Sequence, residues 1–470
     1  MFILENILTD GIAQLSYLVG DTSTGHAAVI DPRTDVEVYE SLARKHGLAI
    51  THIFETHIHA DFVSGSRSLA DRVGTAKIYL SDVQADYQFD AMAVSDGQVF
   101  DFGSFRLVAR HTPGHTPEHL SYELCESKNA GTPWAVFTGD SLFVGSAGRP
   151  DLLGAEETEG LAKQLYQTLY EYYLKLDDFV TVYPGHGAGS ACGADIGDRL
   201  NSTIGYERRT NKFLRFPNFD AFRSFVVDDA PPAPWHYPEL KKVNASGPDV
   251  MHRLPTIPAL PPDKFRITSR EPGVTVIDTR SMLAFGGGHI PGSINIGDRP
   301  EMSAWVGQMF DLDQRLLLIV DDETDLDVIE RLIVRTGHSR FAGYLSGGMK
   351  AWQMAGLPLQ RLAQMTVHEL REQQISDPDL NILDVRSPDE WESGHIPGAE
   401  HHFIADMRDR INGLDKEARY ATYCASGYRA SIASSLMQSR GFKNVANVPG
   451  SWHAWTAAGY EVAHLQEANA

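Results

Sequence analysis

The chain has 470 residues, 42% of them hydrophobic and 22% charged, which is the composition of a folded protein and not of a disordered one. At roughly 150 residues per domain it divides into about two to four domains. Lys and Arg total 41 against 62 Asp and Glu, a formal net charge of −21, which repels polyanions and argues against nucleic-acid binding and against docking on an anionic membrane.

Any anionic substrate must therefore be met by a local group of Arg side chains or backbone N–H donors. The three cysteines, Cys125, Cys192 and Cys424, are too few and too scattered for a disulfide framework, which points to a reducing compartment. The N-terminal stretch carries Glu5 and Asp10 where a secretory leader is basic, and no segment approaches the ~18 apolar residues of a membrane span. A soluble, cytoplasmic protein is expected.

In chain order, AAVIDP (27–32) predicts a strand ending in a turn, and VEVYESLARKHG (36–47) a helix stopped by Gly47. ITHIFETHIH (50–59) predicts a buried strand that runs into histidines. This alternation continues to about residue 250. From 229 to 262 prolines accumulate, which favours extended backbone and marks a connector.

Beyond it lies a repeat. VIDTRSMLAFGGGHIPGSINI (276–296) matches ILDVRSPDEWESGHIPGAEHH (382–402), and YLSGGMKAW (344–352) matches NVPGSWHAW (447–455). Strands alternate with amphipathic helices such as DVIERLIVRTG (327–337), the pattern of a parallel sheet with crossover helices. The expected domains are 1–250 with a connector to about 262, a first copy at 263–361 and a second at 362–470.

Chemistry concentrates in two places. In the first segment, THIHADF supplies His57, His59 and Asp61, HTPGHT supplies His111 and His115, TGDSLF supplies Asp140, and YPGHG supplies His186. A lone histidine is usually a hydrogen-bonded bystander. Four His- or Asp-bearing loops, each at a strand-to-loop transition, instead predict a metal site.

These motifs resemble the metallo-β-lactamase superfamily, an αβ/βα sandwich with the pattern His-x-His-x-Asp-His. Phe62 stands where that pattern has its last histidine, and a phenyl ring cannot ligate, so a mononuclear site is expected in place of a dinuclear hydrolytic one. Two histidines and one carboxylate with an open face form the donor set of non-haem Fe(II) sites. Within the superfamily the first ~240 residues look most like the persulfide dioxygenases. That resemblance implies Fe(II), one per chain, held by His57, His115 and Asp140, with His59, Asp61 and His186 orienting ligands and bound water. It also implies that Arg149, in SAGRPDL, and by position Arg67 bind the thiol substrate. Glyoxalase II-type thioesterases share most of these motifs. Cys192, six residues after His186, is expected to be a buried, inert thiol.

The second place is TYCASGYRASIASSL (422–436): a strand, a loop from Cys424 through Ala425, Ser426, Gly427 and Tyr428 to Arg429, and a helix. Backbone N–H groups around the sulfur make an anion cradle, and with Arg429 they favour a thiolate and a cysteine persulfide. This resembles the rhodanese active-site loop, and Asp-x-Arg followed by Gly-His-Ile-Pro-Gly resembles that family's earlier signature. Cys-x₅-Arg phosphatases cradle phosphate in a related fold. Here four residues separate Cys424 from Arg429, a tighter loop suited to sulfane sulfur. In the first copy the same register puts Asp321 opposite Cys424, among Asp322, Glu323, Asp325 and Asp327, so that copy cannot carry a persulfide and is expected to be a structural spacer. His289 and His395 recur in both copies and are expected to serve the fold.

Together these features predict an α/β protein: a metallo-β-lactamase-like sandwich followed by two rhodanese-like α/β domains with parallel sheets. The resemblance implies oxidation of a low-molecular-weight thiol persulfide with O₂ to sulfite, and thiosulfate formation through Cys424, in sulfide detoxification. The alternative is a glyoxalase II-like thioester hydrolase with an appended sulfurtransferase, and the non-enzymatic one a sulfur carrier with a vestigial metal site. The expected partners are small molecules, with homo-oligomerisation left open.

Overall fold

In a computed structural model of the protein, residues 1–83, 87–129, 131–228 and 233–464 are described. The chain separates into two compact units, Met1–Leu254 with Val334–Gly337, and Pro255–Ile333 with His338–Ala470.

The first unit is built on two six-stranded sheets. One runs in the order β1 (Phe2–Thr9), β2 (Gln14–Asp21), β3 (His26–Ile30), β4 (Ala49–Phe54), β5 (Lys77–Ser81), β6 (Met92–Val94). The other contains β7 (Val99–Asp101), β8 (Phe105–His111), β9 (Leu120–Glu126), β10 (Pro133–Gly139), β11 (Thr181–Pro184) and β12 (Ser202–Thr203) in neighbouring order. Between the sheets, Tyr17, Phe54, Leu107, Tyr122 and Phe137 form an aromatic-rich core. The opposite faces are covered by helices, so the layers run helix, sheet, sheet, helix.

The helix Glu37–His46 shows why these segments fold locally. Tyr39 and Ala43, one turn apart, are buried; Glu37 and Glu40 sit in the first turn and Arg44, Lys45 and His46 in the last; Gly47 ends it in the left-handed region at φ 66°. One stretch of the proline-rich connector departs from the extended reading. Tyr237–Ser246 is a helix with Pro238 in its first turn, where a missing N–H costs no intrahelical bond. Its buried Asn244 donates to the carbonyls of His59 and Phe62, so part of the connector braces the histidine loop.

The second unit contains two five-stranded parallel sheets. The first has the order β13-β17-β16-β14-β15, from Ala259–Leu260, Phe341–Leu345, Arg315–Ile319, Val274–Asp278 and Ile294–Asn295. The second has β18-β22-β21-β19-β20, from Ala363–Gln364, Asn444–Asn447, Arg419–Tyr423, Leu380–Asp384 and Glu400–His401. Central strands such as β16 are buried on both faces, as helix-covered parallel sheets require.

The repeated motifs have matching structural duties. Arg280 chelates Asp278 and caps the carbonyl of Gly288, while Arg386 does the same with Asp384 and Gly394. His289 and His395 bond the carbonyls of Phe285 and Trp391 through Nδ1. The two copies share one hydrophobic core, in which Phe285, Ile296 and Val306 pack with Ile432, Leu436 and Met437. A polar seam crosses it: Ser431 bonds Asn295 Oδ1 at 2.6 Å, and the Asn295 N–H donates to Ser435 at 2.9 Å. The first copy thus packs directly on the helix that follows the Cys424 loop.

Candidate metal centre and cysteine loop

Strand ends assemble the first site. His57 follows β4, Asp140 follows β10, His186 follows β11, and His115 lies in the β8–β9 connection. His57, His115 and Asp140 are buried, and one ligand atom from each lies within 4.8 Å of the others. Asp140 Oδ2 is 3.8 Å from His57 Nε2 and 3.6 Å from His115 Nε2. These distances are too long for hydrogen bonds, and among the described residues none hydrogen-bonds the buried Oδ2. Three donors converging on a point without bonding one another fit a cation.

The imidazole tautomers are fixed from behind. Thr56 donates its hydroxyl to Asp31 and so accepts from Nδ1 of His57; Nδ1 of His115 donates to the carbonyl of Arg149 at 3.0 Å. Both Nε2 lone pairs then face the carboxylate. Burial holds both histidines below the usual imidazole pKa, which keeps them neutral and able to ligate.

Two further donor groups adjoin this one, Asp61–His186–Cys192 and Asp31–Glu55–His59. In each, a histidine is already engaged by two carboxylates. His186 bridges Asp140 Oδ1 (2.8 Å) and Asp61 Oδ2 (2.7 Å), and His59 Nε2 faces Glu55 (3.0 Å) and Asp31 (3.2 Å). Phe62 is wholly buried against the ring of His59. Cys192 is buried too. Its burial, with Asp61 and Asp140 nearby, holds the thiol well above its usual pKa.

Burial alone would depress His186, but Asp140 and Asp61 outweigh it and push its pKa up to about 10. The folded value exceeds the unfolded one, so this stabilisation is complete below about pH 6.5 and is lost as pH rises through about 10. The metal-free protein should therefore unfold at progressively lower urea concentration across that window, and His186→Gln should flatten the slope.

The predicted substrate arginines are placed as follows. Arg149 pairs through Nε with Asp151 at 2.8 Å, and its carbonyl holds His115. Arg67 donates to the carbonyls of Gly247 and Pro248 and lies over Phe89. It also lines a small pocket that His57, Tyr87, Phe89 and Asn244 share.

Sequence reading missed several participants. His119 accepts the Asp140 N–H through Nε2 at 3.1 Å and bonds Thr112 through Nδ1; it was visible in HTPGHTPEH, but nothing local separates it from its neighbours. Asp31, at the turn after β3, and Glu55 lacked any motif. The Gly148 site is just as specific: a Cβ there would lie 1.9 Å from the Asp140 carbonyl oxygen and 3.1 Å from His115 Cβ. Gly148→Ala should displace Asp140 and weaken metal binding roughly 10- to 100-fold, read by titration with Fe(II) under anaerobic conditions.

In the second unit, Cys424 is buried at the end of β21, and the Gly427 N–H points at its sulfur from 3.1 Å. Gly427 is left-handed at φ 106°, and a Cβ there would meet Met282 Sδ of the first copy at 2.9 Å. Arg429 forms a two-pronged ion pair with Glu390 at 2.6 and 2.7 Å. Glu390, also the capping-box residue for Ser387, was not anticipated. Tyr428 donates to the Gly297 carbonyl of the first copy at 3.1 Å, with Arg299 over its ring.

A His and Asp donor cluster at the strand ends of a two-sheet sandwich is thus joined on one chain to a cysteine loop in a repeated parallel-sheet module. Comparison with known proteins agrees. The metallo-beta-lactamase superfamily matches residues 9–186, and the rhodanese-like domain matches 262–355 and 366–458. The chain belongs to the metallo-β-lactamase superfamily and carries two rhodanese-like domains. The mitochondrial persulfide dioxygenase ETHE1 of Bos taurus is 33% identical over 42% of this chain and 70% of its own. The cytoplasmic hydroxyacylglutathione hydrolase of Arabidopsis thaliana is 37% identical over 43% of this chain and 83% of its own. The crystal structure of a metallo-beta-lactamase from Staphylococcus aureus subsp. aureus COL covers 73% of this chain and 98% of its own, at 34% identity and a TM-score of 0.65. Among the described residues no helix is long and apolar enough to cross a membrane.

Proposed function

We propose that the protein is a persulfide dioxygenase fused to a thiosulfate sulfurtransferase, organised as 1–250, 263–361 and 362–470. The carrying observation is the convergence of His57, His115 and Asp140 without mutual hydrogen bonds, on a chain that also bears the Cys424 cradle. Two neutral imidazoles and one carboxylate with an open face suit one Fe(II) per chain.

The overall reaction is RSSH + O₂ + H₂O → RSH + SO₃²⁻ + 2H⁺. Bound Fe(II) would supply the redox chemistry that joins O₂ to the terminal sulfur. The chain's own residues do the rest. Thr56 and the Arg149 carbonyl keep both imidazoles in the ligating tautomer. His186 and His119 hold Asp140 from its Oδ1 and its N–H, so that Oδ2 is presented. The pocket beside His57, lined by Arg67, Tyr87 and Phe89, marks the approach of the persulfide, with Arg149 as a further substrate contact. At the second site, Cys424 takes sulfane sulfur from a second persulfide, Cys–SH + RSSH → Cys–SSH + RSH, and gives it to sulfite, Cys–SSH + SO₃²⁻ → Cys–SH + S₂O₃²⁻. The loop Ala425, Ser426, Gly427 and Tyr428 forms the substrate cradle, with the Gly427 N–H at the sulfur and Arg429 supplying positive charge for the anionic donor and acceptor.

A second reading, a thioester hydrolase with an appended sulfurtransferase, draws on the similarity to hydroxyacylglutathione hydrolases and on the Asp61–His186 pair beside Asp140. Against it stands Phe62, which offers no donor where a second metal would need one. Metal analysis with O₂ uptake on glutathione persulfide separates the two. One Fe per chain and O₂ consumption are expected; two Zn per chain with thioester hydrolysis and no O₂ uptake would replace this reading with the second.

A further inference from the structure

We infer that Ser451 is a positioning residue for Cys424: its hydroxyl, held on a left-handed backbone, fixes the N–H of the cysteine so that the loop's donors turn toward the sulfur. The inference rests on the proposed sulfur-transfer role of Cys424. It starts from an irregularity between the two copies.

Each copy has two consecutive left-handed residues at the same place. In the first they are Gly347 (φ 71°) and Gly348 (φ 56°), and in the second Gly450 (φ 76°) and Ser451 (φ 44°). Glycine adopts this conformation freely, whereas a residue with a Cβ is strained by it. Ser451 is one of four non-glycine residues with positive φ among those described. The copy without a cysteine has the relaxed residue, and the copy with one has the strained residue. Strain kept at one of two equivalent positions calls for a local compensation.

The compensation is visible. Ser451 is fully buried, and its Oγ donates to the Val448 carbonyl at 2.6 Å and accepts the Cys424 N–H at 3.1 Å. That N–H lies just past the end of β21 and donates to Ser451 Oγ in place of a strand partner. Neighbouring groups complete the stitching. The carbonyl of Cys424 accepts from Trp452 N–H (2.9 Å), that of Ala425 from His453 N–H (3.0 Å), and that of Ser426 from Gly450 N–H (3.0 Å). With three successive carbonyls turned outward, the N–H side of the loop is turned inward, and the Gly427 N–H reaches the sulfur. Ser451 anchors the start of this arrangement at the cysteine itself. In the first copy Asp321 occupies the cysteine's position, so a hydroxyl at 348 would have no such task.

The test separates positioning from structural support, because the two pull in opposite directions. In the full-length protein, Ser451→Gly removes the hydroxyl and relieves the strain, whereas Ser451→Ala removes the hydroxyl and keeps the strain. Both should slow iodoacetamide alkylation of Cys424, followed on its own peptide by mass spectrometry, by roughly tenfold at neutral pH, the scale of one lost hydrogen bond. Both should move the alkylation profile to higher pH and lower kcat for sulfur transfer from thiosulfate to cyanide with little change in KM. Their melting temperatures should diverge, with S451G at or above the parent and S451A below it. Gly348→Ser, the matching change in the first copy, should lower the melting temperature and leave Cys424 alkylation at the parental rate. Parental alkylation in S451G, or alkylation that merely tracks melting temperature across the three variants, would overturn the inference. If the parent transfers no sulfur, the proposed function of Cys424 fails, while the alkylation profiles still decide whether Ser451 positions the cysteine.

Discussion

His115→Ala is expected to abolish both iron binding and persulfide-dependent O₂ uptake while leaving sulfur transfer at Cys424 intact. The imidazole contributes one of three converging donors, and its Nδ1 is the tie between that donor and the Arg149 carbonyl. Removing it leaves His57 and Asp140, two donors where a facial triad needs three. Asp140 would keep its bonds to His186 and His119. Metal content by mass spectrometry should fall to background, and O₂ uptake to the uncatalysed rate. Thiosulfate:cyanide sulfur transfer by the same preparation should stay near the parental rate, because Cys424 lies in the other compact unit. Retention of stoichiometric iron and normal O₂ uptake would show that the ligand assignment is wrong. Loss of both activities together would instead point to a folding defect, which the melting curve would reveal.

That prediction depends on residues legible in the sequence, and its contrast with less legible ones is instructive. His57, His115 and Asp140 announce themselves because ligands sit where strands end, next to the Gly, Thr and Pro that turn the chain. The loop at Cys424 is equally plain, since a strand, a cysteine, a glycine and a helix follow within a few residues. What escaped is the support. Asp31 holds Thr56, which sets the tautomer of His57, across 25 residues of sequence. Asn244 braces the His59 carbonyl across 185 residues. Such partners have no spacing rule, because folding and not local geometry brings them together.

The connector illustrates a different failure. Its prolines predicted extended backbone, but Pro238 falls in a first helical turn, where it is tolerated, and Tyr237 and Leu240 then supply a buried face. Tertiary burial decided that element. The acidic first copy was legible as lacking a cysteine cradle, but not as an active partner in packing. Only the shared core and the Asn295 seam show that its strands support the helix after Cys424.

Cys424→Ser is the change expected to alter the product rather than the oxygen chemistry. The hydroxyl is a poor nucleophile and cannot hold sulfane sulfur, so the second site should lose sulfur transfer altogether. The ligand set His57, His115 and Asp140 is untouched, and O₂ uptake should remain close to the parental rate. With persulfide and O₂ supplied, the parent should release thiosulfate, since sulfite formed at the metal accepts the sulfur carried by Cys424. The serine variant should release sulfite in its place. Asp321→Ala, in a copy with no cradle, should leave the product ratio as it was. Because sulfite also reacts with free persulfide, an enzyme-free control given the same sulfite must be subtracted before the yields are compared by ion chromatography. Equal enzymatic thiosulfate from the parent and from Cys424→Ser would remove the rhodanese loop from the pathway, whereas a switch toward sulfite places sulfur transfer downstream of oxidation on one chain.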